Sequence, residues 1–460
     1  MSLIKSISGI RGTIGGKVND NLTPLDVVKF ASAFGTWLQQ NKNSKNLTIV
    51  IGRDARISGQ MVSSLVASTL QGLGINVIDL GLSTTPTVEV MVPELNADGG
   101  IILTASHNPK QWNALKLLND KGEFINAEEG AKVLELAENE DFDYAQVDDL
   151  GSYETRNDAF DIHIQKILDL PMVDAEAIKA KKYKVVLDAV NSTGGISLPP
   201  LLEKLGCEVV KLYCEPNGQF PHNPEPLKEH LTDICELMKT EKADLGIVVD
   251  PDVDRLALID ENGEMFGEEY TLVAVADYLL KNKNGVAISN LSSSRALRDV
   301  AHRHNSEYFA SAVGEVNVVN LMKEKNAVIG GEGNGGIIYP DLHYGRDSLV
   351  GAALFLTHLA KENKKVSELR ASYPPYFMGK KKIDLLPTID VDALLEKMKV
   401  EFKDQEISTV DGVKIDFPGN WVHLRKSNTE PIIRIYTEAP TQEEADNLGD
   451  KMIAKMKSLI

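Results

Sequence analysis

Four short stretches of this chain carry residue types that could do chemistry. The first is Thr104-Ala105-Ser106-His107-Asn108-Pro109, which follows the apolar run Gly100-Ile101-Ile102-Leu103. The run reads as a buried strand, and the polar turn after it puts Ser106 on a loop at a strand end, where α/β sheets collect ligands. Ser106 lacks the flanking glycines of a hydrolase nucleophile elbow, so acyl transfer is disfavoured, while an ordinary polar turn would use the same residues. The second stretch is Asp250-Pro251-Asp252-Val253-Asp254-Arg255, at the end of Leu245-Gly246-Ile247-Val248-Val249. Three carboxylates at alternate positions of an extended loop converge on one side and repel one another unless a hard cation joins them. Such oxygen ligands suit magnesium and phosphoryl chemistry, and the spacing is not that of an EF-hand. A solvated acidic turn is the alternative.

The third stretch is Gly330-Gly331-Glu332-Gly333-Asn334-Gly335-Gly336. Its glycines let Glu332 and Asn334 offer a carboxylate and an amide from one side, a pair suited to vicinal sugar hydroxyls; a phosphate cradle or a plain hairpin fits the same residues. The fourth is Arg425-Lys426-Ser427-Asn428-Thr429-Glu430-Pro431, with Arg434 beyond it. Forked guanidinium donors and neutral hydroxyls and amides suit phosphate, or simply a surface turn. A local basic pocket matters here because a formal net charge of −18 repels nucleic acid. A small anionic substrate would need such a pocket.

The elements that must position these loops follow from periodicity and punctuation. A chain of 460 residues exceeds one core and implies three or four domains. Its 43% hydrophobic and 25% charged content is that of a soluble globular protein. No run approaches the roughly 20 apolar residues of a membrane span, and Met1–Lys5 opens no signal peptide, so a cytoplasmic protein without a membrane partner is expected. Cys207, Cys214 and Cys235 are too few and too scattered for a disulfide framework or a zinc site, and read as packing residues.

Thr23 and Pro24 open a helix through Leu38. Residues 47–51 read as a strand, followed by a helix to about Leu73, Gly74 as its cap and a strand over 75–80. This is a βαβ unit, expected to be parallel and right-handed. The same grammar returns at 184–188, a Gly194-Gly195 loop, a helix to Leu205 and a strand over 208–212. A looser copy starts at 286–291 with a helix around Arg295–Arg303. Three such units predict three related α/β domains. An acidic stretch over 138–153 exits the first domain, and breaks near 255–267 and at Ser372–Tyr376 mark the others. The expected domains are therefore 1–153, 154–256, 257–371 and 372–460. In the last, a strand near Ile383, a helix over 391–402, two or three strands between Val413 and Tyr436 and a closing helix from Gln442 predict an α+β domain with an antiparallel sheet.

In this order the four motifs resemble those of the α-D-phosphohexomutase family, which includes phosphoglucomutases, phosphomannomutases and phosphoglucosamine mutases, and the resemblance covers the whole chain. It implies three related α/β/α domains with mixed sheets and a smaller C-terminal α+β domain around a central cleft. It implies that Ser106 carries a phosphoryl group and that Asp250, Asp252 and Asp254 hold Mg2+ together with it. Arg11, in the glycine-dense segment Ser8–Gly16, matches a position lining the reaction centre, as do His107, Lys116 and Arg255. Lys116 corresponds to the family's proton-handling lysine. Glu332 and Asn334 match the sugar-hydroxyl contacts, and Arg425, Ser427, Asn428 and Thr429 the clamp on the phosphate that is not reacting. Gly52-Arg53-Asp54 matches a family signature, for which a structural role is expected.

The implied activity is reversible transfer of phosphate between O6 and O1 of a hexose phosphate through a bisphosphorylated intermediate, with hexose 1,6-bisphosphate as activator. The implied partner is a small sugar phosphate, and the protein a monomer or homodimer. Many relatives end the sugar loop in Ser-Gly-His, whereas this chain reads Asn334-Gly335-Gly336 and lacks that histidine. The form is similar to archaeal-type and related bacterial enzymes, with glucosamine phosphate the expected substrate and mannose or glucose phosphate next. A serine-dependent sugar phosphatase and a sugar-phosphate sensor are the rival classes. A proton-handling Lys116 must be partly neutral, which burial beside Arg11 or Arg255 would favour by lowering its pKa.

Overall fold

A computed structural model describes residues 2–6, 9–44, 46–385, 389–426 and 432–459. They divide into two compact units, Met1–Thr271 with Asn334–Ser367, and Leu272–Gly333 with Glu368–Ile460.

The first unit opens with β1 (Ile4–Ser6), β2 (Gly9–Thr13) and α1 (Pro24–Lys42). Thr23 and Asp26 form a capping box at the start of α1 and Pro24 sits in its first turn, as the sequence predicts. The helix runs past Leu38 to Lys42 and stops where Asn43 turns left-handed at φ 48°. There follow β3 (Thr48–Arg53), α2 (Gly59–Gly72), β4 (Asn76–Leu82), α3 (Thr85–Glu94), β5 (Gly99–Leu103), β6 (Trp112–Leu118) and α4 (Ala127–Asn139). The acidic stretch after α4 does not simply leave: it returns as the fully exposed edge strand β7 (Tyr153–Thr155), parallel to β4. The seven strands lie in the order β1-β2-β6-β5-β3-β4-β7. The β5-β3-β4 centre is parallel, as βαβ units require, and β6 is antiparallel to both of its neighbours.

Alternation along β3 explains the layers. Ile49 and Ile51 join a core with Phe30, Phe34, Val66 and Leu70 on one face, while Val50 packs with Val88, Met91 and Val92 on the other. The sheet is thus covered on both sides.

The chain continues through α5 (Ala159–Leu168), α6 (Ala175–Lys181), β8 (Lys184–Asp188), α7 (Gly194–Lys204), β9 (Glu208–Leu212), α8 (Thr232–Glu241), β10 (Leu245–Val249) and β11 (Leu256–Ile259). The sheet order is β11-β10-β8-β9, with only β11 antiparallel. The stretch read as a break near 255–267 begins with β11, whose four buried residues complete a hairpin with β10. One expectation is corrected here. Gly194 and Gly195 are no loop but the opening of α7, where a Cβ on Gly195 would lie 2.1 Å from the Cys214 carbonyl oxygen.

The chain passes between units within α9 (Glu268–Asn282), and the second unit contains β12 (Val286–Asn290), α10 (Ala296–Arg303), β13 (Glu307–Ser311), α11 (Glu315–Lys325) and β14 (Ile329–Glu332). In it β12 lies parallel to both β13 and β14. Back in the first unit, β15 (Gly336–Ile338) leads to α12 (Ser348–Glu362), which is buried from Ser348 to Ala360 and packs on α5, α6 and α7. After α13 (Val366–Ala371), the rest of the second unit is β16 (Phe377–Asp384), α14 (Val391–Glu401), β17 (Glu406–Ser408), β18 (Val413–Phe417), β19 (Asn420–Lys426), β20 (Ile432–Ala439) and α15 (Gln442–Leu459). Its five-stranded sheet, β16-β20-β19-β18-β17, is antiparallel throughout and shares a core with both helices through Met398, Val422, Ile435 and Met452, the α+β pattern expected. Among the described residues the three cysteines are unpaired, and no helix is long and apolar enough to cross a membrane.

Candidate functional site

The first unit gathers the serine loop, the aspartate turn and several cations. Ser106 lies between β5 and β6 with φ at 47°, a left-handed conformation that costs a non-glycine residue. What holds it there is Arg56, fully buried in the loop between β3 and α2. Its guanidinium donates to the carbonyls of Ser106, Asn108, Pro109 and Trp112, and its Nε to Asp54 Oδ2 at 2.9 Å. The same Asp54 oxygen accepts from Thr104 Oγ1 at 2.6 Å, and Thr104 Oγ1 accepts the Ser106 amide at 3.0 Å. Gly52-Arg53-Asp54 therefore belongs to the support of the serine loop. The Ser106 hydroxyl donates to Asp250 Oδ2 at 2.8 Å, and His107 Nδ1 is 3.4 Å from it.

Asp250, Asp252 and Asp254 converge, each offering one oxygen within 4.8 Å of the others. The cause differs from the expected alternation along an extended loop. The segment is a tight hairpin turn in which the buried Val253 adopts φ 64° and its amide donates back to the Asp250 carbonyl at 3.1 Å. Asp250 Oδ1 accepts the amides of Asp254 and Arg255, both at 3.1 Å. Asp252 Oδ2 accepts from Thr85 Oγ1 at 2.5 Å and Lys116 Nζ at 2.7 Å. Asp254 Oδ2 accepts from Arg346 at 2.7 Å and lies 3.5 Å from Lys116. Among the described residues, Asp252 Oδ1 and Asp254 Oδ1 remain buried without a hydrogen bond. Orphaned carboxylate oxygens of this kind fit a hard divalent cation.

The electrostatics sort these groups. Burial, then Asp254 and Asp252, push Asp250 well above the usual carboxylate range. Burial also acts on Asp252, but Lys116 and Thr85 outweigh it and hold that carboxyl below the usual range. His107 is pushed down to about 3 by burial and by Arg255, so its imidazole is neutral. Lys116 corrects an expectation. Burial alone would lower its pKa, yet Asp252 and Asp254 outweigh it and hold the ammonium above its ordinary value. A lysine between two carboxylates keeps its proton.

Arg11 stands opposite Ala114 in the β2–β6 ladder and so shares a sheet face with Lys116. Arg255 reaches Glu225 at 3.3 Å. Asn334 Oδ1 accepts the Gly336 amide at 3.2 Å. The histidine missing at Gly336 has a structural counterpart, since a Cβ there would lie 2.3 Å from Arg346 Cδ. The space holds the arginine that pairs with Asp254.

The second unit holds the remaining candidates. Glu332 accepts from Asn290 Nδ2 at 2.9 Å and from the Gly314 amide at 3.2 Å. Arg425 pairs with Asp411 at 2.8 Å and stands opposite Arg434 across β19 and β20. Ser427, Asn428 and Thr429 lie outside the described residues.

Sequence reasoning missed Arg56, Thr85 and Arg346. Arg56 had a signal in the Asp54-Ala55-Arg56 run beside the noted Gly52-Arg53-Asp54, whereas Thr85 and Arg346 reach the turn only through the fold.

Comparison with known proteins covers nearly the whole chain. Residues 4–144, 161–263 and 267–376 match phosphoglucomutase/phosphomannomutase alpha/beta/alpha domains I, II and III, and 379–455 the C-terminal domain. The fold is thus three α/β/α domains with mixed sheets and a C-terminal domain of antiparallel sheet and helices. A phosphoglucomutase/phosphomannomutase of Thermococcus kodakarensis is 39% identical, over 96% of this chain and 98% of its own. A phosphoglucosamine/phosphogalactosamine mutase of Sulfurisphaera tokodaii is 35% identical over 98% of each. The crystal structure of a phosphoglucomutase/phosphomannomutase family protein from Burkholderia thailandensis superposes with a TM-score of 0.84 at 25% identity, over 99% of this chain and 98% of that one.

Proposed function

This chain belongs to the phosphoglucomutase/phosphomannomutase family of phosphohexomutases, and from that premise we propose that it interconverts glucosamine 6-phosphate and glucosamine 1-phosphate through a phosphoserine at Ser106. The hydrogen bond from the strained Ser106 hydroxyl into a turn with two orphaned carboxylate oxygens supports this most directly. Ser106 passes its phosphoryl group to the free hydroxyl of a monophosphate and receives the other phosphate of the resulting bisphosphate, so hexose 1,6-bisphosphate activates the resting enzyme. Asp250, Asp252 and Asp254 with Ser106 would hold magnesium, which when bound neutralises charge on the transferring group. Lys116, as an ammonium, fixes Asp252 and Asp254, and Arg11 and Arg255 add positive charge. His107, neutral, offers a hydrogen bond beside Ser106. Glu332 and Asn334 take sugar hydroxyls, and Arg425 with Ser427, Asn428 and Thr429 clamps the phosphate that is not reacting. Catalysis is then mostly positioning and electrostatics.

The Asn334-Gly335-Gly336 loop and the Sulfurisphaera relative favour the amino sugar. The 39% identity of the Thermococcus protein favours a second reading, glucose and mannose phosphates. Both are tested by supplying glucosamine, glucose and mannose 6-phosphates to one preparation with magnesium and a trace of bisphosphate, following products by phosphorus NMR and the protein by intact mass. The expected result is the highest kcat/KM for glucosamine phosphate and a one-phosphate mass addition lost in Ser106→Ala. A higher kcat/KM for glucose phosphate would establish the second reading, and free phosphate without isomer would make the protein a phosphatase.

A further inference from the structure

The first unit buries a second cluster that the phosphoserine chemistry does not use. His163 comes from α5, His343 and Asp347 from the loop before α12, and Thr87 and Glu89 from α3. Asp347 Oδ1 accepts the Leu349 and Val350 amides at the start of α12, which fixes the carboxylate and leaves Oδ2 to face the rings. That oxygen lies 3.0 Å from His163 Nε2 and 3.3 Å from His343 Nε2. All three residues offer atoms within 4.8 Å of one another. Tetrahedral ligands about 2.0–2.1 Å from a transition metal are separated by about 3.3 Å, so the spacing suits a shared ion.

The far side of each ring is also furnished. His163 Nδ1 is 3.0 Å from Thr87 Oγ1. His343 Nδ1 lies 3.5 Å from Glu89 Oε2 and, buried, makes no hydrogen bond among the described residues. A carboxylate beside Nδ1 favours a proton there, and a neutral ring then aims its Nε2 lone pair at the Asp347 oxygen. At His343 two electron-rich atoms then face each other unless a cation lies between them, the ring takes a second proton, or the proton sits on Nε2 and is donated to Asp347. Gly345 permits the approach, since a Cβ there would lie 2.0 Å from Glu89 Oε2 and 2.9 Å from His343 Nδ1.

We propose that His163 Nε2, His343 Nε2 and Asp347 Oδ2 bind a divalent transition metal of the zinc or cobalt class, which ties α5 to the loop before α12. Two imidazole nitrogens select such an ion over magnesium, which keeps this site distinct from the all-oxygen aspartate turn. With the metal on Nε2, each ring carries its proton on Nδ1 and donates it to Thr87 or Glu89, the outer contacts that orient metal-bound histidines.

The test uses the full-length protein, stripped by chelator and returned to magnesium buffer, then titrated with Co2+ under visible spectroscopy and with Zn2+ as competitor. One equivalent of cobalt should give ligand-field bands that zinc abolishes, and should raise the melting temperature. The bands should persist in Asp252→Asn, disappear in His163→Asn and His343→Asn, and need about 10- to 100-fold more cobalt in Glu89→Gln. Should the histidine variants fail to fold, X-ray absorption on the wild-type cobalt form decides, with two imidazole nitrogens expected. Absence of bands and of any melting shift up to millimolar cobalt would overturn the proposal in favour of a protonated histidine pair. So would bands that vanish in Asp252→Asn and survive in His343→Asn.

Discussion

Two buried carboxylate clusters of the first unit are tied to their surroundings in opposite ways. Asp250, Asp252 and Asp254 meet a serine hydroxyl, an ammonium and a guanidinium, and among the described residues keep two oxygens unbonded. Asp347 meets two imidazoles and the amides of its own helix. The carboxylates are alike, and their partners are not. Oxygen donors beside cations make a place for a hard ion and a phosphoryl group, while convergent nitrogens beside one fixed oxygen make a staple for a softer metal.

The largest expected effect separates the two by activity. Asp252→Asn should lower turnover on the order of 100- to 1000-fold or more. Full wild-type activity after exhaustive chelation would remove the metal from the aspartate turn. Asp347→Asn should act on stability instead, costing about 1.5–3 kcal/mol as buried hydrogen bonds to a charged group are lost, read by urea unfolding; a loss below about 1 kcal/mol would show that the cluster staples nothing.

Lys116 sharpens the comparison within the first cluster. Because Asp252 and Asp254 hold its proton, Lys116→Arg should stay within about tenfold of wild type in turnover, as a retained charge would. The basic side of its pH–rate profile should also be unchanged. Loss of the basic limb together with several orders of magnitude in rate would restore the general-base role.

The smallest effect concerns a histidine outside both clusters. His222 Nε2 lies 3.0 Å from Asp188 Oδ2; burial opposes its charging, but Asp188 outweighs burial and raises its pKa. The folded state therefore binds the proton more tightly than the unfolded chain. This contribution is complete below the unfolded value of about 6.5 and fades as pH rises through the folded one. Urea midpoints of the wild type should fall over that window relative to those of His222→Gln, and parallel curves would show the pair to be inert.

Much of the architecture was legible in the sequence because its cues are local. The Thr23-Pro24 start of α1, the parallel strands over 48–53 and 184–188, and the serine and aspartate motifs at the ends of β5 and β10 all follow from residues within a few positions of one another. Strand β11 and edge strand β7 did not, since each forms by pairing with a neighbour that local pattern does not announce. Likewise, alternation suggested that the three aspartates converge, but a left-handed Val253 brings them together.

The sequence by itself determined which chemistry could be present: a serine at a strand end, three spaced carboxylates, a glycine loop and a basic turn, whose order resembles one enzyme family. Only the tertiary structure decided how those groups are charged and held. Arg56 grips a loop 50 residues away in sequence, Lys116 is pinned as an ammonium by aspartates beyond it at 136 and 138 residues' separation, and Arg346 occupies the space next to Gly336. His163 meets Asp347 across 184 residues. Charge, desolvation and hydrogen bonding depend on distance through space inside a low-dielectric interior, and that distance exists only once the sheets have paired and the helices have packed on them.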